Sequence, residues 1–184
     1  MDRCGWATSA PEYLQYHDEE WGTPLRGDDA LFERLCLEAF QSGLSWITIL
    51  RKRPAFREAF AGFRIAAVAE FGADDVARLM ADARIVRNGA KVAAAIGNAR
   101  AALEVPEGLS ALLWSFAPTA PRTRPQTTAD VPATTAESTA MARELKRRGF
   151  SFVGPTTAYA LMQATGMVDD HVATCFRAGA EHRY

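Results

Sequence analysis

Apolar residues recur every three or four positions along most of this chain, which is the spacing of amphipathic helices. Leu31, Leu35 and Cys36 follow this pattern and predict a helix over residues 30–41. The same pattern predicts further helices over residues 11–20, 46–52, 74–82, 89–104, 109–116, 137–148 and 156–164. Because no segment alternates with the period of two that a strand requires, we expect an all-α fold, organised as a single domain over residues 1–184.

Helix ends are marked by capping and helix-breaking residues. Asp28 is a good N-cap candidate for the helix over residues 30–41, and Ser45 for the helix that follows it. Pro54 predicts the end of that second helix, because proline removes a helical hydrogen bond and clashes with the preceding turn. Several prolines and threonines predict an extended loop over residues 117–135.

Composition is typical of a globular intracellular protein. The chain has 184 residues, of which 48% are hydrophobic, and this is enough for a sizeable core. Its first residues lack the apolar run of a signal sequence, and no stretch approaches the ~20 apolar residues of a membrane span. We therefore expect a cytoplasmic protein without a membrane partner, and nothing in the sequence implies a protein partner.

Charge is unevenly distributed along the chain, although the net charge is only −1. Residues 1–40 carry nine acidic and three basic side chains, whereas the remaining residues carry 13 acidic and 18 basic ones. The clustered basic residues are a plausible contact surface for DNA phosphates. A run of charge is more often a solvated helix face, so composition leaves both interpretations open.

Two cysteine–histidine pairs stand near opposite ends of the chain, Cys4 with His17 and His171 with Cys175. The second pair is spaced i, i+4, which predicts that both side chains lie on one face of a helix. Two thiolates and two imidazoles complete a tetrahedral shell for a structural zinc ion. Either pair alone is common by chance, and spacing cannot show that the pairs meet. The remaining cysteine and histidine fall outside this set: Cys36 and His182.

A tight turn containing Gly149 and Gly154 joins the last two predicted helices, within a hairpin at about residues 146–157. Gly154 leaves backbone N–H groups uncovered, and the helix that begins near Thr156 adds the positive end of its dipole. Both features favour a phosphate oxygen, and Lys146 adds a positive charge beside them. The segment is typical of a helix–hairpin–helix element that binds the DNA backbone without reading sequence, although an ordinary helix–helix turn has a similar composition.

Glu38 stands on the apolar side of its predicted helix, one helical period from Leu35 and two from Leu31. A buried carboxylate is costly unless it has a partner or a function. A structural acid, paired with an arginine or capping a neighbouring helix, is the alternative.

Aromatic residues concentrate near Glu38 in the sequence: Trp6, Tyr13, Tyr16, Trp21 and Trp46. Such clusters usually belong to a core, but a pocket for a flipped base also needs aromatic walls and a few polar groups.

The segment between the two helices, residues 41–45, forms a small tip with one apolar side chain, Leu44. Proteins that kink DNA insert such apolar side chains between bases. The tip is therefore a candidate wedge for the gap that a flipped nucleotide leaves in the duplex.

Taken in order, the motifs of the chain resemble the signatures of 3-methyladenine DNA glycosylase type I. The resemblance runs from residue 3 to residue 175 and is carried by Arg3-Cys4-Gly5-Trp6, Tyr16-His17-Asp18, Cys36-Leu37-Glu38, Gly43-Leu44-Ser45-Trp46, Asn98-Ala99-Arg100, Trp114-Ser115-Phe116, Gly149-Phe150 and Met162-Gln163-Ala164. No single motif is specific, but the ordered set is.

The resemblance implies an all-α helix–hairpin–helix glycosylase fold in which one zinc ion joins the N- and C-terminal segments. The implied ligands are Cys4, His17, His171 and Cys175. It also implies hydrolytic excision of 3-methyladenine from double-stranded alkylated DNA, leaving an abasic site. No lysine nucleophile is evident in the pocket set, so we expect a monofunctional enzyme without lyase activity.

The resemblance also implies roles for individual residues. Glu38 is the expected catalytic residue and, with Tyr16, hydrogen-bonds the extruded base, while Trp46 stacks on it. The remaining implied residues line the pocket or contact DNA, namely Trp6 and Tyr13 for the pocket and Gln41, Gly43 and Leu44 for the duplex.

Asp169 departs from the pattern of the family, whose members lack the catalytic aspartate of other helix–hairpin–helix glycosylases. It stands where that aspartate falls, in Val168-Asp169-Asp170-His171. We favour a cap for a short helix or turn that begins there, with a reactive carboxylate as the alternative. Two other functions stay open: a noncatalytic zinc-containing module that senses damaged DNA, and a glycosylase for another alkylpurine.

Overall fold

The computed structural model describes residues 1–120 and 122–179. Within them lie nine α-helices: α1 Pro11–Glu19, α2 Asp28–Gln41, α3 Trp46–Ala59, α4 Ile65–Ala69, α5 Ala73–Ala81, α6 Gly89–Leu103, α7 Leu109–Trp114, α8 Ala136–Arg147 and α9 Pro155–Ala164. Short 3₁₀ segments occur at Gly5–Ser9, Ala61–Phe63 and Thr128–Asp130. No strand occurs in these residues, so the all-α prediction is confirmed. None of the described helices is both long and apolar enough to cross a membrane.

Helix α2 lies at the centre of the fold and packs against α3, α6, α7 and α9. It is buried on nearly every side, because all of its residues from Leu31 to Phe40 except Glu33 are buried. A helix surrounded in this way takes its polar side chains into the interior together with its apolar ones. Arg34 and Glu38 are therefore both buried, so α2 carries two charged side chains inside the fold.

Five phenylalanines form one aromatic group in the core, which we call the phenylalanine cluster: Phe40, Phe56, Phe60, Phe63 and Phe71. Phe60 is in contact with each of the other four, at ring-centroid distances from 5.3 to 6.3 Å. Edge-on and offset ring contacts of this kind add to the hydrophobic gain from burial. The cluster holds α2, α3 and the segment before α5 together.

Helix α3 continues through Pro54 to Ala59, so the predicted end at Pro54 is wrong. A proline inside a helix costs about 3 kcal/mol. The residues that follow it offset this cost, since Phe56 and Phe60 are fully buried and each fully buried phenylalanine stabilises by roughly 1.5–3 kcal/mol. Tertiary packing therefore outweighs the local helix-breaking signal.

Of the two predicted N-caps, the one at Asp28 is wrong and the one at Ser45 is confirmed in position only. Asp28 is the first residue of α2 rather than its N-cap, and its carboxylate accepts a hydrogen bond from the Ser110 amide at 2.8 Å, which ties α2 to α7. Ser45 does hold the N-cap position of α3, but its side chain makes no capping bond. The Tyr13 hydroxyl accepts from the Ile47 amide instead, at 2.9 Å. A side chain of α1 thus performs the capping that the sequence assigned to a neighbour.

The turn between α8 and α9 is fixed from a distant helix. The Asn98 side chain of α6 is buried, accepts from the Ser151 amide at 2.8 Å, and donates to the Ser151 carbonyl at 3.0 Å. Helices α8 and α9 pack against each other on either side of this turn. The order of elements is that of the predicted hairpin.

The described part of residues 117–135 contains only the short Thr128–Asp130 segment, as the predicted extended loop requires. The loop is held against the C-terminal segment by two arginines. Arg122 donates to the Tyr159 hydroxyl and Arg124 to the Asp169 carboxylate, each at 2.8 Å. The loop therefore forms a defined wall beside the site.

Candidate base pocket and metal site

The four predicted ligands, Cys4, His17, His171 and Cys175, meet in one buried cluster. Their ligand atoms all lie within 4.8 Å of one another. The Cys175 sulfur is 3.4 Å from His17 Nε2 and 3.6 Å from His171 Nδ1, and the Cys4 sulfur is 3.6 Å from His171 Nδ1. Tetrahedral metal bonds of ~2.0–2.3 Å place neighbouring sulfur and nitrogen ligands about 3.6 Å apart. The cluster could therefore hold a metal ion. The unassigned His182 lies outside the described residues.

The second ring nitrogen of each histidine is already engaged. His17 Nδ1 lies 2.8 Å from an Asp18 oxygen, and Asp18 is held by the Arg3 guanidinium at 2.7 Å. His171 Nε2 lies 3.3 Å from the Trp21 carbonyl. When these nitrogens carry the N–H, the remaining lone pairs face the thiols, as in metal-ligating histidines. Burial lowers the pKa of His171 to about 4, which keeps its ring neutral.

Gly22 allows the N-terminal segment to approach His171 closely. Its φ of +77° lies in the region that favours glycine, and a Cβ atom there would lie only 2.8 Å from His171 Nε2. Any larger residue would have to displace the imidazole ring, so the geometry of the cluster depends on this glycine.

The prediction that His171 and Cys175 share a helix face is wrong. The last described helix ends at Ala164, and the segment that follows is built of turns. The His171 amide donates to Asp169 and the Ala173 amide donates to the Pro125 carbonyl, so these groups do not form a helical ladder. The two ligands meet because the turns bring them together.

Asp169 closes a turn rather than capping a helix. Its carboxylate accepts hydrogen bonds from the amides of His171 and Gly179, at 3.1 and 2.9 Å, and from Arg124 at 2.8 Å. Its side chain is 8% exposed and is not part of the pocket lining. These contacts favour a structural role over a reactive carboxylate.

A pocket of about 380 Å³ adjoins the metal cluster, with Cys4 in the wall between them. All five predicted aromatic residues line it: Trp6, Tyr13, Tyr16, Trp21 and Trp46. Their rings are set by mutual contacts, since Trp6 packs edge-on against Tyr13 at 5.6 Å and Trp21 at 5.2 Å. Tyr16 and Trp46 lie 5.6 Å apart with their planes tilted by 45°. Sequence proximity alone had suggested this grouping.

Glu38 lines the same pocket and is only 6% exposed. Among residues 1–120 and 122–179 its carboxylate has no hydrogen-bond partner. Burial raises the pKa of Glu38 to about 7, although the Arg34 guanidinium, one turn earlier, acts in the opposite direction. The prediction of a buried acid is confirmed, and the pocket contains a carboxylate that is free to accept a hydrogen bond from a ligand.

The tip between α2 and α3 is an exposed tight turn. Gly43 has a φ of +80°, Leu44 is 42% exposed, and Gln41 reaches back to line the pocket. The buried Lys91 ammonium donates to the carbonyls of Phe40 and Ser42 and so closes the end of α2. The other predicted DNA contacts lie at the turn between α8 and α9. All of them are exposed: Lys146, Gly149, Gly154 and Thr156.

Sequence reasoning missed the far wall of the pocket. Gln163 and Asp170 lie there, and Asp170 accepts hydrogen bonds from Gln163 at 2.9 Å and from the Tyr159 hydroxyl. Thr128 and Val131 of the long loop complete this wall. The local signals were the positions of Gln163 and Asp170 in segments compared with the family, whereas the loop has no periodic pattern that would place it beside a pocket.

The family model of the methyladenine glycosylases matches residues 6–178. This chain belongs to that family. Its relatives include DNA-3-methyladenine glycosylase 1 of Escherichia coli (strain K12), which is 46% identical over 179 residues, 95% of this chain and 96% of that protein. The DNA-3-methyladenine glycosylase of Haemophilus influenzae is 42% identical over 177 residues, 94% of this chain and 96% of that protein.

The fold of this methyladenine glycosylase is also that of solved relatives. A structure of 3-methyladenine DNA glycosylase I from Staphylococcus aureus, solved to explain 3-methyladenine recognition, superposes with a TM-score of 0.92. It is 35% identical in sequence, and the match covers 98% of each chain. The resemblance stated from the sequence is thus confirmed over nearly the whole chain.

Proposed function

We propose that this glycosylase flips 3-methyladenine out of double-stranded alkylated DNA into the aromatic pocket and hydrolyses its N-glycosidic bond, leaving an abasic site. As a member of its family the chain is a DNA-3-methyladenine glycosylase, and we infer the roles of its individual residues. The observation that carries them is the Glu38 carboxylate, buried among aromatic rings and without a hydrogen-bond partner in the described residues. We further propose that the enzyme acts in the cytoplasm.

Methylation at N3 gives the adenine a positive charge, so the base leaves readily once it is bound correctly. The faces of Trp46 and Trp6 attract a cationic ring. Glu38 accepts a hydrogen bond from an N–H group of the base, and Tyr16 adds a second polar contact. These preorganised groups favour the departing base in a water-poor site, which is where electrostatic stabilisation is strongest.

The proposal assigns the remaining DNA contacts to the two exposed turns. Leu44, with Gln41 and Gly43 beside it, fills the gap left in the duplex. The hairpin turn binds phosphates through its backbone N–H groups and the nearby lysine, using Lys146, Gly149, Gly154 and Thr156. No lysine is among the described residues that line the pocket, which supports base hydrolysis without lyase activity.

We also propose that the metal is one structural zinc ion per chain. The set of two thiols and two imidazoles is the one that zinc prefers in closed structural sites. It would hold the N-terminal residues Cys4 and His17 to the C-terminal turns that carry His171 and Cys175. Since these four residues would fill the shell, the ion would provide a cross-link and leave no open position for substrate.

The excision proposal is tested by incubating methylated duplex DNA with the enzyme and separating the released bases. We expect free 3-methyladenine from the native chain and a loss of about 10²–10³-fold for Glu38→Gln. Glu33→Gln is the matched control, because Glu33 lies on the same helix but pairs with Arg57 outside the pocket.

Three outcomes contradict parts of this proposal. Binding of damaged DNA without release of any base points to the noncatalytic module. Preferential release of 3-methylguanine or 7-methylpurines points to another alkylpurine as substrate. Full activity of Glu38→Gln removes Glu38 from any essential role.

The zinc proposal is tested by elemental analysis of the native protein, in which we expect about one zinc per chain. Cys175→Ser should lose the metal and lower thermal stability, whereas Cys36→Ser should keep it. Cys36 is an equally buried cysteine outside the cluster, which makes it the matched control. A native, folded protein without metal contradicts the proposal.

A further inference from the structure

A buried arginine lies behind the pocket and takes no part in the mechanism described so far. Arg34 is 8% exposed and projects from α2 between two rings of the pocket wall. Its guanidinium carbon lies 5.4 Å from the Tyr16 ring centre and 5.9 Å from the Trp46 ring centre. One arm donates to the Tyr16 hydroxyl at 3.1 Å and the other to Glu20 at 3.2 Å. The orientation of Arg34 is therefore fixed on two sides.

The contact with Tyr16 determines the direction of its hydroxyl. Arginine has donors and no acceptor, so in this contact the phenol oxygen must accept. The hydroxyl proton is then free, and within the described residues it has no acceptor. Since Tyr16 lines the pocket, it offers a hydrogen-bond donor to whatever occupies that space.

Arg34 also precedes Glu38 by one helical turn on α2. Glu20 balances part of its charge and is itself held by Arg53, which donates to both Glu20 oxygens at 2.6 and 2.7 Å. The titratable groups that line the pocket together with Glu38 are Cys4, Tyr13, Tyr16 and Asp170. Arg34 is the group whose charge lowers the pKa of Glu38 against the effect of burial.

We propose that Arg34 is a positioning residue for base selection: it makes Tyr16 a donor and keeps Glu38 an ionised acceptor, so that together they select an adenine edge. Adenine presents a ring-nitrogen acceptor beside an amino donor at N7 and N6, whereas guanine presents two acceptors at N7 and O6. The Tyr16 donor and the Glu38 acceptor together can pair with both groups of the adenine edge. On the guanine edge one of the two acceptors would face the Glu38 carboxylate, where it is unpaired and repelled. This inference rests on the proposed function.

The test compares Arg34→Met, Arg34→Lys and the control Arg78→Met in single-turnover release of bases from methylated duplex DNA. Arg78 is a fair control, since it likewise contacts an acid and an aromatic ring, but on α5 and outside the pocket. For Arg34→Met we expect about tenfold slower release of 3-methyladenine and about a tenfold lower preference for 3-methyladenine over 3-methylguanine. Arg78→Met should change neither quantity.

A double substitution shows whether Arg34 acts through Tyr16. In a Tyr16→Phe background, at a pH above the acidic limb where Glu38 is ionised with or without Arg34, Arg34→Met should slow release by less than about threefold, because the contact it would break is already absent. A full additional tenfold loss contradicts the proposal. This cycle is informative even if Arg34→Met is less stable, since the comparison is made between folded variants with the same change.

The pH profile separates the charge of Arg34 from its shape. For Arg34→Met, the acidic limb of the rate should move upward by about one pH unit, because an adjacent cation favours the ionised carboxylate. Arg34→Lys keeps the cation and should leave the limb in place. If Arg34→Met matches Arg78→Met in rate, selectivity and pH profile, the inference is wrong. If the native chain releases no 3-methyladenine, the proposed function itself fails.

Discussion

Two aromatic groups of this protein have opposite characters. The phenylalanine cluster around Phe60 consists of rings without polar atoms, and each is at least 91% buried. The pocket group around Trp46 and Tyr16 consists of rings that carry N–H or O–H groups, packed against Arg34 and Glu38. The first group excludes water and partners alike, whereas the second keeps open space and unused hydrogen-bonding capacity.

The difference shows how one chain divides stability and recognition. Phenylalanine rings have no polar group that loses a hydrogen bond with water on burial. They stabilise the fold through the apolar area that they bury and through their ring contacts. Tyrosine and tryptophan need partners for their polar ends, so a group of them around a cavity costs stability. The pocket retains that cost in Glu38 and in the indole N–H of Trp46, which has no partner among the described residues. Three predictions test this division.

The largest effect on folding is expected at the centre of the phenylalanine cluster. Phe60→Ala should lower the free energy of unfolding by about 3–5 kcal/mol, because it leaves a cavity among four neighbouring rings. Base release per folded molecule should not change, since Phe60 does not line the pocket. Chemical denaturation together with single-turnover excision would measure both, and loss of activity in the folded variant would contradict the division.

Glu38→Gln should have a smaller effect on the free energy of unfolding than Phe60→Ala, and it should raise this free energy rather than lower it. The folded protein raises the pKa of Glu38 from 4.5 to about 7, so ionisation disfavours folding and stability falls as the pH rises through this window. Glu38→Gln removes this charge. Its effect on the free energy of unfolding should therefore be more favourable at pH 8 than at pH 4, by up to about 3 kcal/mol. Unfolding curves of the native and variant proteins at both pH values would show this, and equal differences at the two would refute it.

The smallest effect on folding is expected for Trp46→Phe. This change keeps an aromatic face and removes an unpaired N–H, so the stability should shift by less than about 1 kcal/mol while 3-methyladenine binding weakens. Trp114→Phe is the matched control, because the Trp114 N–H donates to the Leu25 carbonyl at 2.8 Å and its loss should cost about 1–3 kcal/mol. Thermal unfolding and quenching of fluorescence by free 3-methyladenine would measure the two quantities.

Local patterns predicted the helices well and their ends less well. Periodicity placed the ends of α2 and α6 to within two residues, because the apolar residues of a buried helix face recur with the period of the helix. Pro54 was misleading because the burial of Phe56 and Phe60 outweighs its local penalty. Ser45 correctly marked the start of α3, although the Tyr13 hydroxyl rather than the Ser45 side chain accepts the hydrogen bond from the first turn.

The sequence by itself determined the helical content, the four candidate metal ligands, the buried acid Glu38 and the family of the chain. These follow from spacing and residue type, which act over a few positions or are matched along the whole chain. Tertiary structure alone decided that the four ligands meet, that Glu38 has no partner in the described residues, and that Arg34 lies behind Tyr16. Such contacts join segments far apart in the chain, and no local pattern specifies which distant groups will share one buried space.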